Sequence, residues 1–231
     1  MTAMRIVIAG GHGQIALRLT RLLHERGDEV VGLVRNPAHI GDVEHAGGQA
    51  AVIDLEHADV GELVPVLDGA DAVVFAAGAG PGSGAARKDS VDRGAAVLLA
   101  DAAEGAGVSR YVLVSSMGAD DPTQADDDVF RAYLEAKAAA EDDVRARDLD
   151  WTVLRPGGLT DEPGTGLVRL EPRVERGSVS RDDVARTVVA LLDEAATVGL
   201  TLELVAGEDL IDAAVQAAGR GEPGDGGLDA L

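Results

Sequence analysis

The sequence predicts an α/β protein: a doubly wound parallel sheet with helices on both faces and a small C-terminal substrate or lid region. Short β-branched runs alternate with longer Ala- and Leu-rich segments, which is the pattern of βαβ units whose strands are buried on both faces. The first of these runs is followed at once by a glycine loop that opens into an amphipathic helix. The 231 residues correspond, at about 150 per domain, to one domain with at most a small annex. No repeat on the scale of about 20 to 50 residues and no composition shift marks a second unit.

Taken in order, the expected strands are Arg5–Ala9, Glu29–Val34, Ala50–Ile53, Ala72–Ala76, Tyr111–Ser115, Trp151–Arg155 and Leu202–Val205, each a short apolar run. Helices fill the gaps, most clearly Gln14–Glu25, Ser90–Glu104, Val129–Arg147 and Ser180–Asp193. The last opens with Ser180 three residues before Asp183, a capping pair. Right-handed crossovers make such an array doubly wound. The segments Gly118–Asp128 and Gly157–Ser178 are rich in Gly, Pro and charge, follow expected strands, and so belong over the carboxyl edge of the sheet as lid elements. Residues 1–218 then form a single nucleotide-binding domain, and 219–231 have too little apolar content to pack and read as a disordered tail.

Composition removes several function classes. The 41 acidic residues against 20 basic ones give a formal charge of −21, a surface that repels nucleic-acid backbones and anionic lipids. The absence of cysteine excludes disulfides, thiolate metal sites and cysteine nucleophiles, and no His or acidic cluster suggests a metal. No apolar run reaches about 18 residues and the N-terminus lacks signal-peptide character. The expectation is a cytoplasmic protein, a monomer or small homo-oligomer, whose partner is a small-molecule substrate. With 46% hydrophobic residues but five aromatics, Ala, Val and Leu must fill the core.

The glycine loop is Gly10-Gly11-His12-Gly13-Gln14-Ile15-Ala16. Gly10 permits a tight turn, Gly13 lets the backbone approach a pyrophosphate, Ala16 keeps helix and sheet close, and the helix N-terminus offers free N–H donors. His12 is a loop residue within reach of phosphate. Arg35 lies 22 residues beyond Gly13, beside Asn36, where NAD-specific folds place an acid for the ribose diol. A guanidinium there suits a 2′-phosphate, so NADP(H) is expected over NAD(H). Asp54 and Leu55 after the third strand are placed for the adenine, and Ala76-Ala77-Gly78-Ala79-Gly80 after the fourth are small enough to admit ribose and pyrophosphate.

Tyr133 and Lys137, four apart in a helical stretch, share a face. A nearby cation favours phenolate, so the pair can donate or accept a proton beside a hydride-transfer centre, and the lysine can also hold the nicotinamide ribose. An interfacial Tyr with a snorkelling Lys has the same spacing. Ser115 and Ser116, at the end of the fifth strand, are placed to orient a substrate carbonyl or hydroxyl.

With GGHGQIA at 10–16, LVRNP at 33–37, VVFAAGAG at 73–80, YVLVSSMGA at 111–119, YLEAK at 133–137, WTVLRPGGL at 151–159 and GSVSRDDVA at 177–185, the chain resembles the short-chain dehydrogenase/reductase superfamily. Within it, the resemblance is to the atypical NAD(P)H-binding branch, NmrA-like and sugar-epimerase-like. The resemblance implies a Rossmann fold with NADP in the crevice, cofactor contacts from Val114, Lys137, Arg155, Pro156, Gly157 and Gly158, and catalytic positions at Tyr133, Lys137 and Ser115 or Ser116. Asp92 stands where the main branch has an Asn in its proton relay. The implied function is NADP(H)-dependent hydride transfer to or from a small carbonyl or quinone-type substrate. The alternatives are a non-catalytic NADPH sensor and an NAD(P)-dependent epimerase or dehydratase, the last handicapped by the lack of a large substrate domain.

Overall fold

The computed structural model describes residues 3–78, 80, 89–125 and 127–222. The first half alternates without exception: β1 (Arg5–Ala9), α1 (Gln14–Arg26), β2 (Glu29–Val34), α2 (Ile40–His45), β3 (Gln49–Val52), α3 (Val60–Leu67), β4 (Ala72–Phe75). A π-helical turn, Asp89–Gly94, leads into α4 (Ala95–Ala106), and β5 (Arg110–Val114), α5 (Asp128–Arg145) and β6 (Asp150–Pro156) follow. The remainder is β7 (Gly158–Thr160), β8 (Leu167–Glu171), β9 (Ser178–Ser180), α6 (Arg181–Asp193), β10 (Leu200–Ala206), β11 (Asp209–Leu210) and α7 (Ile211–Arg220).

Among the described residues the main sheet runs β11-β8-β10-β6-β5-β4-β1-β2-β3. The seven strands from β3 to β10 are mutually parallel, whereas β8 pairs antiparallel to β10 and β11 antiparallel to β8. Each face carries its own apolar core. On one side Ile6, Ile8 and Val74 meet Leu19 and Leu23 of α1 and Val184, Val188 and Leu191 of α6. On the other, Val7, Val73 and Phe75 meet Leu63 of α3, Leu99 of α4 and Val144 of α5. Residues alternate between faces along each strand, so a strand buried on both sides must be apolar throughout, as these are. Strand order reverses beside β1, which has β2 on one side and β4 on the other, and a crevice opens there at the carboxyl ends.

Boundaries shift by one or two residues from those expected, and the extra elements lie in the second half. Of the segment from Gly157 to Ser178, residues 167–171 form a strand of the main sheet, antiparallel to both β10 and β11, and 158–160 pair with 178–180 in a separate two-stranded ribbon. Ser180 caps α6, its Oγ accepting from the Asp183 N–H at 2.9 Å. Helix α7 runs to Arg220, so Gly219 and Arg220 belong to the domain rather than to a tail, and Gly219 packs against Ala196. The rest of that expected tail from 223 onward, and Ala79, lie outside the described residues. Among the described residues no helix is long and apolar enough to cross a membrane.

Candidate functional site

The loop after β1 is shaped by close backbone approaches. Gly10 has φ +79°, and a Cβ on it would stand 2.6 Å from the Ala77 Cα. Gly11 donates to the Leu33 carbonyl at 2.8 Å and lies so near β2 that a Cβ would fall 2.7 Å from the Gly32 Cα. Gly13 is the N-cap of α1 and supplies no side-chain acceptor, which leaves first-turn N–H groups facing the crevice for an anion. Ala16 is fully buried against the sheet. These features fit a dinucleotide pyrophosphate. Gln14 is exposed, its side-chain oxygen and carbonyl both accepting from Arg18 Nη1 at 3.0 Å.

A cavity of about 260 Å³ lies on the β2–β3 side of this loop, lined by Gly10, His12, Gly13, Arg35, Asn36, Asp54, Leu55 and Glu56 among others. Its polar groups are already committed to one another. Arg35 Nη1 bonds Glu56 Oε2 at 2.7 Å, and the other Glu56 oxygen accepts from Ser90 Oγ at 2.9 Å. Asn36 Oδ1 accepts from the Ala38 N–H, and Asp54 holds its own turn through the Glu56 N–H and the His57 ring. His12 bonds Asp42 at 2.8 Å and stacks on His39 with ring centroids 3.5 Å apart, so its imidazole has partners of its own at the rim.

Ala76, Ala77 and Gly78 line this cavity and also a second one of about 560 Å³ at the ends of β4, β5 and β6. Here the fold brings together Ile15, Val114, Ser115, Ser116, Tyr133, Lys137, Pro156, Gly157 and Gly158 from the sequence reading. Gly157 is needed, since a Cβ on it would meet the Gly177 carbonyl at 2.4 Å, whereas one on Gly158 would make only ordinary contacts. Tyr133 is half-buried, stacked on Phe130 with centroids 5.9 Å apart, and the Lys137 ammonium lies 5.7 Å from its ring centre. Lys137 itself is buried. Its Nζ donates to the carbonyls of Val114 at 3.2 Å and Ala77 at 3.3 Å and forms an ion pair with Asp92 Oδ1 at 3.2 Å. Asp92 reaches it from the π-helical turn, with its side chain shut off from solvent.

The two serines separate. Ser115 Oγ donates to Glu141 Oε1 at 2.5 Å, inside the protein, while Ser116 is half-buried with its Oγ on the Met117 carbonyl at 3.2 Å. Glu141 also receives two bonds from Arg155, at 2.9 and 2.7 Å, and one from Arg145 at 2.7 Å. Burial works against the Arg155 charge, but these bonds, with Asp120 and Glu203 nearby, hold its guanidinium above the ordinary arginine value. Arg155, implied by the resemblance to lie beside the nicotinamide, is buried with its guanidinium on Glu141, and Glu141 was not singled out because a Glu in the run AAAEDD on a helix reads as solvent-facing. Phe130 and Arg176 also line this cavity and lie in none of the motifs, and Leu159 and Arg181 line it from within WTVLRPGGL and GSVSRDDVA, where no role was given to them. Among the described residues no group of three His, Asp or Glu is placed to hold a metal.

Residues 10–195 match the family described as NAD(P)H-binding. The chain is 35% identical over 214 residues to the uncharacterized sugar epimerase YhfK of Bacillus subtilis (strain 168), covering 92% of this chain and 99% of that protein. A solved Bacillus halodurans structure of the NAD-dependent epimerase/dehydratase type superposes with a TM-score of 0.87 at 34% identity, covering 93% of this chain and 99% of that one. ChuY, an anaerobilin reductase of Escherichia coli O157:H7, superposes with a TM-score of 0.75 at 25% identity, covering 87% and 97%.

Proposed function

We propose that this chain, which belongs to the NAD(P)H-binding family, is an atypical short-chain dehydrogenase/reductase-type enzyme, an NADP(H)-dependent oxidoreductase acting on a small carbonyl or quinone-type substrate. The observation that carries the reading is that Tyr133, Ser116 and Lys137 border one 560 Å³ cavity, which shares Ala76, Ala77 and Gly78 with the neighbouring cavity bordered by the glycine loop. The name of ChuY as a reductase supports the same class of chemistry.

When bound, the nicotinamide supplies or accepts the hydride. The chain's part is to bind, orient and handle the proton. Gly10, Gly13 and the first turn of α1 receive the pyrophosphate, and Arg35 receives the 2′-phosphate by exchanging part of its bond to Glu56. Tyr133 donates the proton to the substrate oxygen, with the Lys137 ammonium 5.7 Å from its ring centre. Ser116 orients that oxygen, and Phe130, Met117 and Leu159 keep water from it.

A second reading, a binding protein that reports NADPH without turnover, is favoured by one observation: three protein oxygens already surround the Lys137 ammonium. Calorimetry with NADPH and NADH, followed by aldehydes, ketones and quinones with NADPH consumption as the readout, separates the two. The reductase binds NADPH and turns over, and Tyr133→Phe lowers kcat by about 100-fold at nearly unchanged NADPH affinity. Tight NADPH binding with no turnover across the series, unaffected by Tyr133→Phe, identifies the sensor.

A further inference from the structure

The walls of the 560 Å³ cavity are unusual for this molecule in charge and in apolarity. Arg176, on the short segment between β8 and β9, lines the cavity with its side chain exposed. Among the described residues no carboxylate lies within ion-pair distance of it. This is notable in a chain with two acidic residues for every basic one, where its neighbours are all neutralised. Arg181 in the same wall bonds Asp161 at 2.9 Å, Arg173 bonds Asp120, and Arg155 is held by Glu141. Asp121 feels Arg176 only as a weak, more distant charge, its carboxyl being lowered first by the bond from Thr123. One Arg176 nitrogen would lie 3.7 Å from a Cβ on Gly118, so a larger residue there would crowd the guanidinium where it overhangs the mouth. Beside it stand Phe130 at 40% and Leu159 at 41% exposure, two of the few large apolar side chains the described surface leaves in water.

We infer that this cavity takes an anionic substrate with a flat apolar body, its carboxylate paired with Arg176 and its body against Phe130 and Leu159. The inference rests on the reading of this cavity as the substrate site and adds a charge to the substrate. A guanidinium binds a carboxylate through paired N–H donors, and an apolar wall at its side strengthens that contact by excluding water. The protein's net charge of −21 otherwise repels anions. Arg176, which has no ion-pair partner among the described residues, therefore discriminates strongly between a charged substrate and its neutral analogue.

The test uses the whole chain saturated with NADP+ in phosphate-free buffer and two non-reacting probes of the same shape, benzoate and benzamide, titrated by NMR. Benzoate should bind about tenfold more tightly, the factor expected of one charge-assisted contact. Arg176→Gln should abolish that preference while leaving NADP+ affinity and the melting temperature unchanged, and Arg176→Lys should keep part of it. Equal binding of the two probes, or a benzoate preference that survives Arg176→Gln, overturns the inference. So does a loss of NADP+ affinity in Arg176→Gln with benzoate unaffected, which would assign the arginine to the cofactor. Reduction of 4-carboxybenzaldehyde is measured separately. If benzoate binding depends on Arg176 but neither this aldehyde nor any member of the aldehyde, ketone and quinone series is turned over with NADPH, the reductase reading fails and the anion subsite stands.

Discussion

The Lys137 ammonium lies 3.2 Å from the Asp92 carboxylate, and both side chains are shut off from solvent, the lysine 4% and the aspartate 0% exposed. The pair ties α5 to the π-helical turn before α4, and the two carbonyls on the same ammonium tie both to the ends of β4 and β5. The ammonium of this pair also lies 5.7 Å from the ring centre of Tyr133. With three protein oxygens on one ammonium, the lysine joins the floor of the crevice together.

Asp92→Asn keeps the shape and removes the counter-charge, leaving an ammonium buried without its carboxylate. Breaking a buried pair on one side costs about 3 kcal/mol, and urea unfolding should show a loss of that size. The double variant Asp92→Asn with Lys137→Met should recover part of it, because it removes the stranded charge as well. A single variant as stable as the parent would mean that the pair contributes nothing to the fold.

The two adjacent serines should behave oppositely. Ser115 Oγ is spent on Glu141 inside the Arg155–Arg145 network, so Ser115→Ala should cost about 1–2 kcal/mol of stability and little in kcat. Ser116, facing the cavity, should do the reverse, with Ser116→Ala lowering kcat/KM about tenfold or more at unchanged stability. Parallel unfolding curves and steady-state kinetics on the two variants check this, and the opposite pattern would return Ser115 to the substrate.

Much of this site was legible because its signals are local. The loop at 10–16 sits between a strand and a helix in the sequence itself, and the Tyr133–Lys137 spacing fixes a shared helical face without any tertiary information. What spacing does not carry is the direction in which a buried polar group finds its partner. Asp92 and Lys137 are 45 residues apart, and Glu141 meets Arg155 across a helix–strand boundary, so neither pair leaves a periodic trace. The same holds for the fold. The apolar parallel strands announce themselves, whereas β8, with the pattern LVRLE and one exposed face, and the three-residue β7 and β9 look like loop. Their register comes from β10 and from each other.

Arg35 bonds Glu56 at 2.7 Å, with the arginine half exposed, and the pair is a built-in competitor for a 2′-phosphate. Arg35→Ala should weaken NADPH by about 10- to 100-fold, the worth of one to two charge-assisted bonds, and NADH much less. Glu56→Gln should act in the opposite direction and tighten NADPH several-fold, because the guanidinium no longer needs to exchange a carboxylate for the phosphate. Calorimetric titration of both nucleotides against both variants checks the pair. An unchanged NADPH to NADH ratio in Arg35→Ala would remove the basis for the NADP(H) assignment.

Gly11 and Gly27 offer a contrast within one helix. A Cβ on Gly11 would lie 2.7 Å from the Gly32 Cα and 2.8 Å from its carbonyl carbon, backbone atoms of β2 that have no rotamer to change. Gly11→Ala must therefore push the β1–α1 loop off the sheet, which strains the Gly11 to Leu33 bond and carries the first turn of α1 away from the crevice. Gly27, the C-cap of the same helix, has φ +97° but open space around its Cβ position, so Gly27→Ala costs only the left-handed backbone, about 1 kcal/mol. Gly11→Ala should cost about 1–3 kcal/mol and lower cofactor affinity by an order of magnitude or more, whereas Gly27→Ala should lower stability alone. Thermal unfolding with and without NADPH distinguishes them: the stabilisation that the nucleotide confers should vanish in the first variant and persist in full in the second. Full retention of that stabilisation in Gly11→Ala would show that the loop tolerates displacement and that the pyrophosphate is not held by the start of α1.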